Sequence, residues 1–421
     1  MHKIYLGAIV IWILALSIGI PPLSAQTILT DCDDSALQNA ILTGGVIEFK
    51  LDDDCVIPIS SRMRIENNIT IRNIGIGTLT LDGQGERQLF EVSSLGILTL
   101  ENITLTGGYA VGDFGFGGAI DATGVLNIIN CIFENNIAEQ GGAMFTTGAI
   151  VTIENTIFRN NQAQFGGAIG GTGDIFTITD STFTDNTADI FGGALILNDG
   201  EHTIRNSIFT NNVASISAGA IFNDQGQMVI DGSYFADNQA TEEDGDFSVG
   251  GAIFNYLADL TVTNSLFDNN RADLGGAIMI ASGDVVLVHT TFVQNDAVDS
   301  LYTLDDLFGE PILPAEVMIQ ATVFTGATCV AQGFASFTDG GNNIAYNSVN
   351  CVGEAINPQL KLLPNGAYIP QNMAAEYEGT CFVEVDFFGN SRPLGQACTI
   401  GAIEIDDDGA TIIPAEQTPA P

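Results

Sequence analysis

Hydrophobic and polar positions alternate in short runs throughout this chain. Between about residue 117 and residue 297 the runs recur as one unit. Gly-Gly-Ala followed by Ile, Leu or Met stands at Gly117–Ile120, Gly141–Met144, Gly166–Ile169, Gly192–Leu195, Gly250–Ile253 and Gly275–Ile278, with Ala218–Ile221 as a variant. A second motif, Phe-x-x-Asn-x-Ala, follows each. It is carried by Phe133, Phe158, Phe183, Phe209, Phe235, Phe267 and Phe292, at spacings of 25, 25, 26, 26, 32 and 25 residues. Within a unit the apolar stretches are three to four residues long: Gly142–Phe145, Ile150–Ile153 and Thr156–Phe158 in the unit from Gly141. They are too short for helices, and one unit cannot bury its own apolar side chains. Successive units must stack, each as one turn of a coil whose strands pair in parallel about 4.8 Å apart. Such a coil is right-handed by the rule for parallel crossovers.

The fold class predicted is therefore all-β. It is a single-stranded right-handed parallel β-helix of the pectate-lyase-like superhelical type, with a short capping helix at its N-terminal end. The repeat Phe residues form an inward stack. Three residues before each Phe stand Asn130, Asn155, Asp180, Asn206, Gly232, Asn264 and His289. Asn130, Asn155, Asn206 and Asn264 are expected to form a structural ladder that satisfies polar groups buried in the coil, with His289 capping it. Weaker units extend the pattern to Ile69–Leu81 and Val92–Gly108. Asp33-Asp34-Ser35 before Ala36–Leu42 reads as the N-cap of the covering helix.

The organisation that follows is a signal peptide at 1–25, an N-terminal cap and first turns at 26–68, β-helix repeats at 69–300, irregular C-terminal turns with disulfides at 301–405, and an acidic, Pro-rich, disordered tail at 406–421. The first segment has His2 and Lys3 before the apolar run Ile4–Ile20, and Ala25 is the residue at cleavage. The alternative is an uncleaved N-terminal anchor. No second apolar run is long enough to span a membrane, so the mature chain is read as secreted or held at the cell surface.

Charge narrows the partners. Asp and Glu number 51 against 11 Lys and Arg, a net of −40. That surface repels nucleic acid, anionic lipid and polyanionic sugar. Seven Cys in an exported chain predict local disulfides Cys32–Cys55, Cys329–Cys351 and Cys381–Cys398. Cys131 is left as a small buried side chain in a slot otherwise held by Thr156, Ser181, Ser207, Ser233, Ser265 and Thr290.

The two motifs resemble the repeat of polymorphic outer-membrane proteins, and more closely that of bacterial extracellular β-helix proteins with a choice-of-anchor domain. The Cys-bearing N-terminal helix, Thr106-Gly107-Gly108 and the C-terminal block carry the second likeness. That block comprises Asn357-Pro358-Gln359-Leu360, Asp386 to Gly389 with Arg392-Pro393, and Cys398 to Glu404. The resemblance implies surface display and no particular reaction.

No catalytic constellation is expected. In the repeat core from Gly117 on, the cations are Arg159, Arg205 and Arg271, on separate turns, and Asp180 and Asp185 replace Asn of the repeat. The only Trp is Trp12, inside the signal. The function expected is that of a monomeric structural or binding protein, adhesin-like, contacting an extracellular glycan or surface partner. The alternative is a polysaccharide lyase or glycoside hydrolase on the same fold. No cofactor is expected, with calcium at the acidic insertion Glu242, Glu243, Asp244 and Asp246 as the one metal candidate.

Overall fold

A computed structural model describes residues 26–353 apart from 113–114, 242–246, 296–298, 305, 308–309, 312–313, 326, 333–334, 341–342 and 347, and beyond them the short strands Lys361–Leu362, Tyr368–Ile369, Glu376–Tyr377 and Cys398–Thr399. The signal segment 1–25, the calcium candidates Glu242, Glu243, Asp244 and Asp246, Cys381 and the tail 406–421 lie outside the described residues.

Every long-range strand pairing of the coil is parallel, and all keep register from one turn to the next except for shifts at Ala163/Phe165 and Asp82/Arg87. In the unit from Gly141 the strands are Met144–Thr147, Ile150–Glu154, Ile157–Arg159 and Gln162–Phe165. Each pairs with its counterpart one turn on: Met144 with Ile169, Ile150 with Ile175, Ile157 with Thr182 and Gln162 with Thr187. Three apolar stretches per unit were expected. The first two share one sheet and merge into single strands at Ile169–Thr179 and Leu195–Arg205, and a short fourth strand follows the Phe motif. At the N-terminal end the helix Asp34–Thr43 is capped by the Asp33 carboxylate, which accepts from the Ser35 N–H at 2.8 Å. Its Leu37, Ala40 and Ile41 bury against the first turns.

The motif residues explain the turn geometry. The first Gly of each Gly-Gly pair has a left-handed backbone, as at Gly141 with φ 62°. The second has no room for a side chain: a Cβ on Gly142 would lie 2.1 Å from the Gly167 carbonyl oxygen one turn away. The seven repeat phenylalanines are fully buried and pair in register. Their rings stack with centroids 4.7 to 5.1 Å apart. The column gains one more member, Phe324, stacked on Phe292 at 5.0 Å.

The asparagine reading needs correction. Asn130, Asn155 and Asn206 do bond along their column: Asn155 Nδ2 donates to Asn130 Oδ1 at 2.7 Å, and Asn206 donates to Asp180 at 3.2 Å. These three residues are nevertheless exposed, and only Asn264 of the four named is buried. Their shared property is a left-handed backbone, with φ of 54°, 46°, 49° and 49°. Asn, Asp, Gly and His tolerate that conformation better than larger or β-branched residues. The buried ladder is the motif Asn itself: Asn136, Asn161, Asn186, Asn212, Asn238, Asn270 and Asn295. From Asn161 on, each Oδ1 accepts the backbone N–H and the Nδ2 of the preceding turn's Asn, as Asn186 does from Asn161 at 3.1 and 2.9 Å, while Asn136 Oδ1 accepts from the Gly108 N–H. Each Nδ2 also donates to a carbonyl, that of Phe158 for Asn186.

The bridges Cys32–Cys55 and Cys329–Cys351 are formed and Cys131 is free and buried. Cys131 heads a second buried ladder, in which its N–H donates to Thr156 Oγ1 and that of Thr156 to Ser181 Oγ. Burial pushes the Cys131 thiol up to about 12, so it is inert as a nucleophile.

One buried carboxyl makes stability depend on pH. Asp268 is 8% exposed, and its Oδ1 has no partner among the described residues. Burial first, then the charge of Asp237, raises it to about 6. The folded state therefore binds a proton that the unfolded chain releases near pH 4. The contribution is fully present below about pH 4 and is lost as pH rises through about 6, by at most about 3 kcal/mol. Unfolding free energies of wild type and Asp268→Asn, measured from pH 4 to 7.5, should diverge by this amount as the wild type weakens. A constant difference across that range would refute it.

Candidate functional site

The first strands of three successive N-terminal turns are Met63–Ile65, Phe90–Val92 and Ile120–Ala122. Each has buried outer residues and a middle residue facing outward, and the middle residues are in register: Arg64 with Glu91, and Glu91 with Asp121. Period-2 alternation in a strand lays them in one external row. Glu91 is bridged by Arg62 at 2.6 Å and by Arg64 at 2.9 Å. Arg62 also donates to Gln88 Oε1 at 2.9 Å, while Gln88 Nε2 donates to the carbonyls of Phe116 and Gly117 at 2.6 and 2.7 Å. Gln88 thereby ties the guanidinium of one turn to the backbone of the next.

These residues form one wall of an open pocket of about 320 Å³, whose lining includes Arg62, Gln88, Tyr109, Phe116 and Asp121. The other wall is the end of the strand Thr104–Ala110 and the backbone at Gly112 and Gly115. Asp121 is half-buried and accepts no hydrogen bond among the described residues. Desolvation pushes its carboxyl up; the Glu91 charge adds to this and Arg62 opposes it. The pocket thus presents an uncommitted acceptor, a guanidinium held by Glu91 and Gln88, a phenol and an aromatic ring.

The row changes character at this point. After Asp121 the paired positions are Phe145, Gly170, Ile196, Phe222, Phe254, Met279 and Tyr302. From Ile196 onward they pack with Phe165, Phe191, Val249 and Leu274, which precede the Gly-Gly turns, into a second apolar cluster outside the coil, and Phe116 and Phe145 stack as a separate pair before it. Sequence reasoning missed this strip. Its signal was legible, because an apolar residue follows the Gly-Gly-Ala-Met, Ala-Gly-Ala-Ile and Gly-Gly-Ala-Ile units at Phe145, Phe222 and Phe254, where alternation demands an outward side chain.

Arg159, Arg205 and Arg271 stand on separate turns as expected, but other arginines, on the N-terminal turns, do converge with carboxylates. A separation of 27 to 30 residues is one turn in this region, so Arg62, Arg64, Glu91 and Asp121 converge although they are distant in sequence. Arg72 likewise bridges Glu48 and Glu101, and Arg159 bridges Glu134. Asp180 and Asp185 are exposed turn residues with left-handed backbones and belong to no cluster. No group of three or more metal-ligating side chains occurs among the described residues.

The family described as the right-handed β-helix region matches residues 117–303, and the architecture is a right-handed parallel β-helix. No curated protein matches the chain in sequence. Among solved structures, the chain is similar to PfbA, a surface adhesin of Streptococcus pneumoniae, at 13% identity and a TM-score of 0.48, covering 76% of this chain and 85% of that one. It is also similar to a mutant of the PL6 family alginate lyase AlyGC, at 12% identity and a TM-score of 0.40, covering 94% of this chain and 59% of that one. Neither likeness bears on function.

Proposed function

We propose that this is an extracellular, surface-associated carbohydrate-binding protein that recognises a neutral sugar unit in the pocket of Arg62, Tyr109, Phe116 and Asp121. Export is supported by the N-terminal signal pattern and by disulfides of the kind that persist outside the cytosol. Surface display is the expectation that follows from the resemblance to choice-of-anchor β-helix proteins. The observation that carries the reading is the half-buried Asp121 carboxylate, open in a pocket that it lines together with a fixed guanidinium. Neighbouring sugar hydroxyls are donors and acceptors at once. A carboxylate can accept from two of them while Arg62 donates to a third, and an aromatic ring can cover the apolar face. A net charge of −40 disfavours an anionic sugar. Glycoside cleavage needs two carboxyl groups with separate duties. Here Glu91 is already bound to Arg62 and Arg64, which leaves Asp121 as the uncommitted carboxyl among the described lining residues.

A glycan array probed with the chain from Gln26 onward should return neutral glycans. Calorimetry on the best of them should show Asp121→Ala weakening binding about 10- to 100-fold, the range for losing hydrogen bonds to a charged group. Equal binding by Asp121→Ala, or no neutral glycan retained, would refute the pocket. Release of new chain ends from the bound glycan would replace binding by cleavage.

A further inference from the structure

We infer that the sugar in the pocket is one unit of a linear neutral polysaccharide, and that the chain continues along the rod axis over the external aromatic strip. This rests on the pocket reading. Phe116 lines the pocket and stacks on Phe145 at 4.5 Å; Gln140 and Gly170 hold the matching positions one turn on, and the strip resumes beyond them. It passes through Phe165 and Phe191, 5.8 Å apart, to Phe222 at 5.3 Å from Phe191, and Phe222 meets Phe254 and Tyr256. Phe145, Phe222 and Phe254 are nearly buried and support the strip, whereas Phe116, Phe165, Phe191 and Tyr256 are partly exposed.

Several features select the occupant. The outward row on these turns is apolar from Phe145 to Tyr302, where a solvated sheet face would be polar. The turns rise about 4.8 Å each, comparable to the length of one pyranose unit in an extended chain. Aromatic faces carry the negative lobe of the ring quadrupole, which attracts the polarised C–H groups on the flat face of a pyranose. A chain of such units offers apolar faces to the rings and hydroxyl edges to water. The strip also runs along the same face as a polar pocket that suits the same chemistry, with the Phe116–Phe145 pair at the pocket's edge.

The test titrates gluco-, manno-, galacto- and xylo-oligosaccharides of one to six units into wild type and into the Phe165→Leu/Phe191→Leu double variant. Leucine keeps the apolar packing and removes the rings. In wild type, affinity for the recognised sugar should rise at least tenfold between one and four units. In the double variant the monosaccharide should bind as before, and lengthening should gain less than threefold. Phe191→Tyr, which keeps the ring, should retain the gain. Monosaccharide binding with no gain on lengthening, or a full gain in the double variant, would overturn the strip and leave the pocket intact. A gain on lengthening with no dependence on Asp121 would overturn the pocket. Binding of none of the four series would overturn both.

Discussion

Phe183→Ala should lower the unfolding free energy by about 3–5 kcal/mol, the range for truncating a fully buried aromatic side chain. The ring is sandwiched between Phe158 at 4.8 Å and Phe209 at 4.7 Å, nearly parallel to both. The strands above and below are pinned by in-register backbone pairing, so the coil has little freedom to close over the space left behind. Both flanking rings lose a partner, which adds to the transfer term. Urea denaturation with an unchanged slope is the measurement, and the outward neighbour Thr182→Ala is the control, expected within about 0.5 kcal/mol. A cost below about 1 kcal/mol for Phe183→Ala would remove the ring stack as the core of the coil.

The second large effect separates the two asparagine columns. Asn186→Ala removes an oxygen that accepts from the N–H and the Nδ2 of Asn161. It also removes an amide that donates to the Phe158 carbonyl and to Asn212 Oδ1. Several buried polar groups lose partners at once, at about 1–3 kcal/mol each, so a total of about 3–6 kcal/mol is expected. Asn206→Gly, in the exposed column, should change stability by less than about 1 kcal/mol. Its side chain makes one exposed bond to Asp180, and its φ of 49° suits glycine. If the exposed substitution cost as much as the buried one, the division between backbone-turn and ladder asparagines would be wrong.

The sequence alone determined the coil, its period, the inward phenylalanines and the neighbours that form Cys32–Cys55 and Cys329–Cys351. The reason is that in-register parallel stacking turns a sequence period directly into a list of contacts: Phe133, Phe158 and Phe183 touch because one turn separates them. Where the repeat is regular, as at Gly-Gly-Ala, even the turn conformation is legible, since only glycine fits beside the next turn's backbone. Direction relative to the core was less legible. Two columns are rich in Asn, and which one points inward depends on the left-handed residue before each strand, a property of the folded turn. The Arg62, Gln88, Glu91 and Asp121 cluster was decided by tertiary structure alone. Its row positions are 27 and 30 residues apart and only Asp121 follows a Gly-Gly-Ala-Ile motif, so no period announces that Arg64, Glu91 and Asp121 lie side by side. The coil is built from residues that repeat, and the pocket from residues that do not, even where, as at Asp121, they stand at a repeating position. A repeat constrains only residues that must match their neighbours above and below, and an outward-facing residue at an irregular turn has no such partner to match.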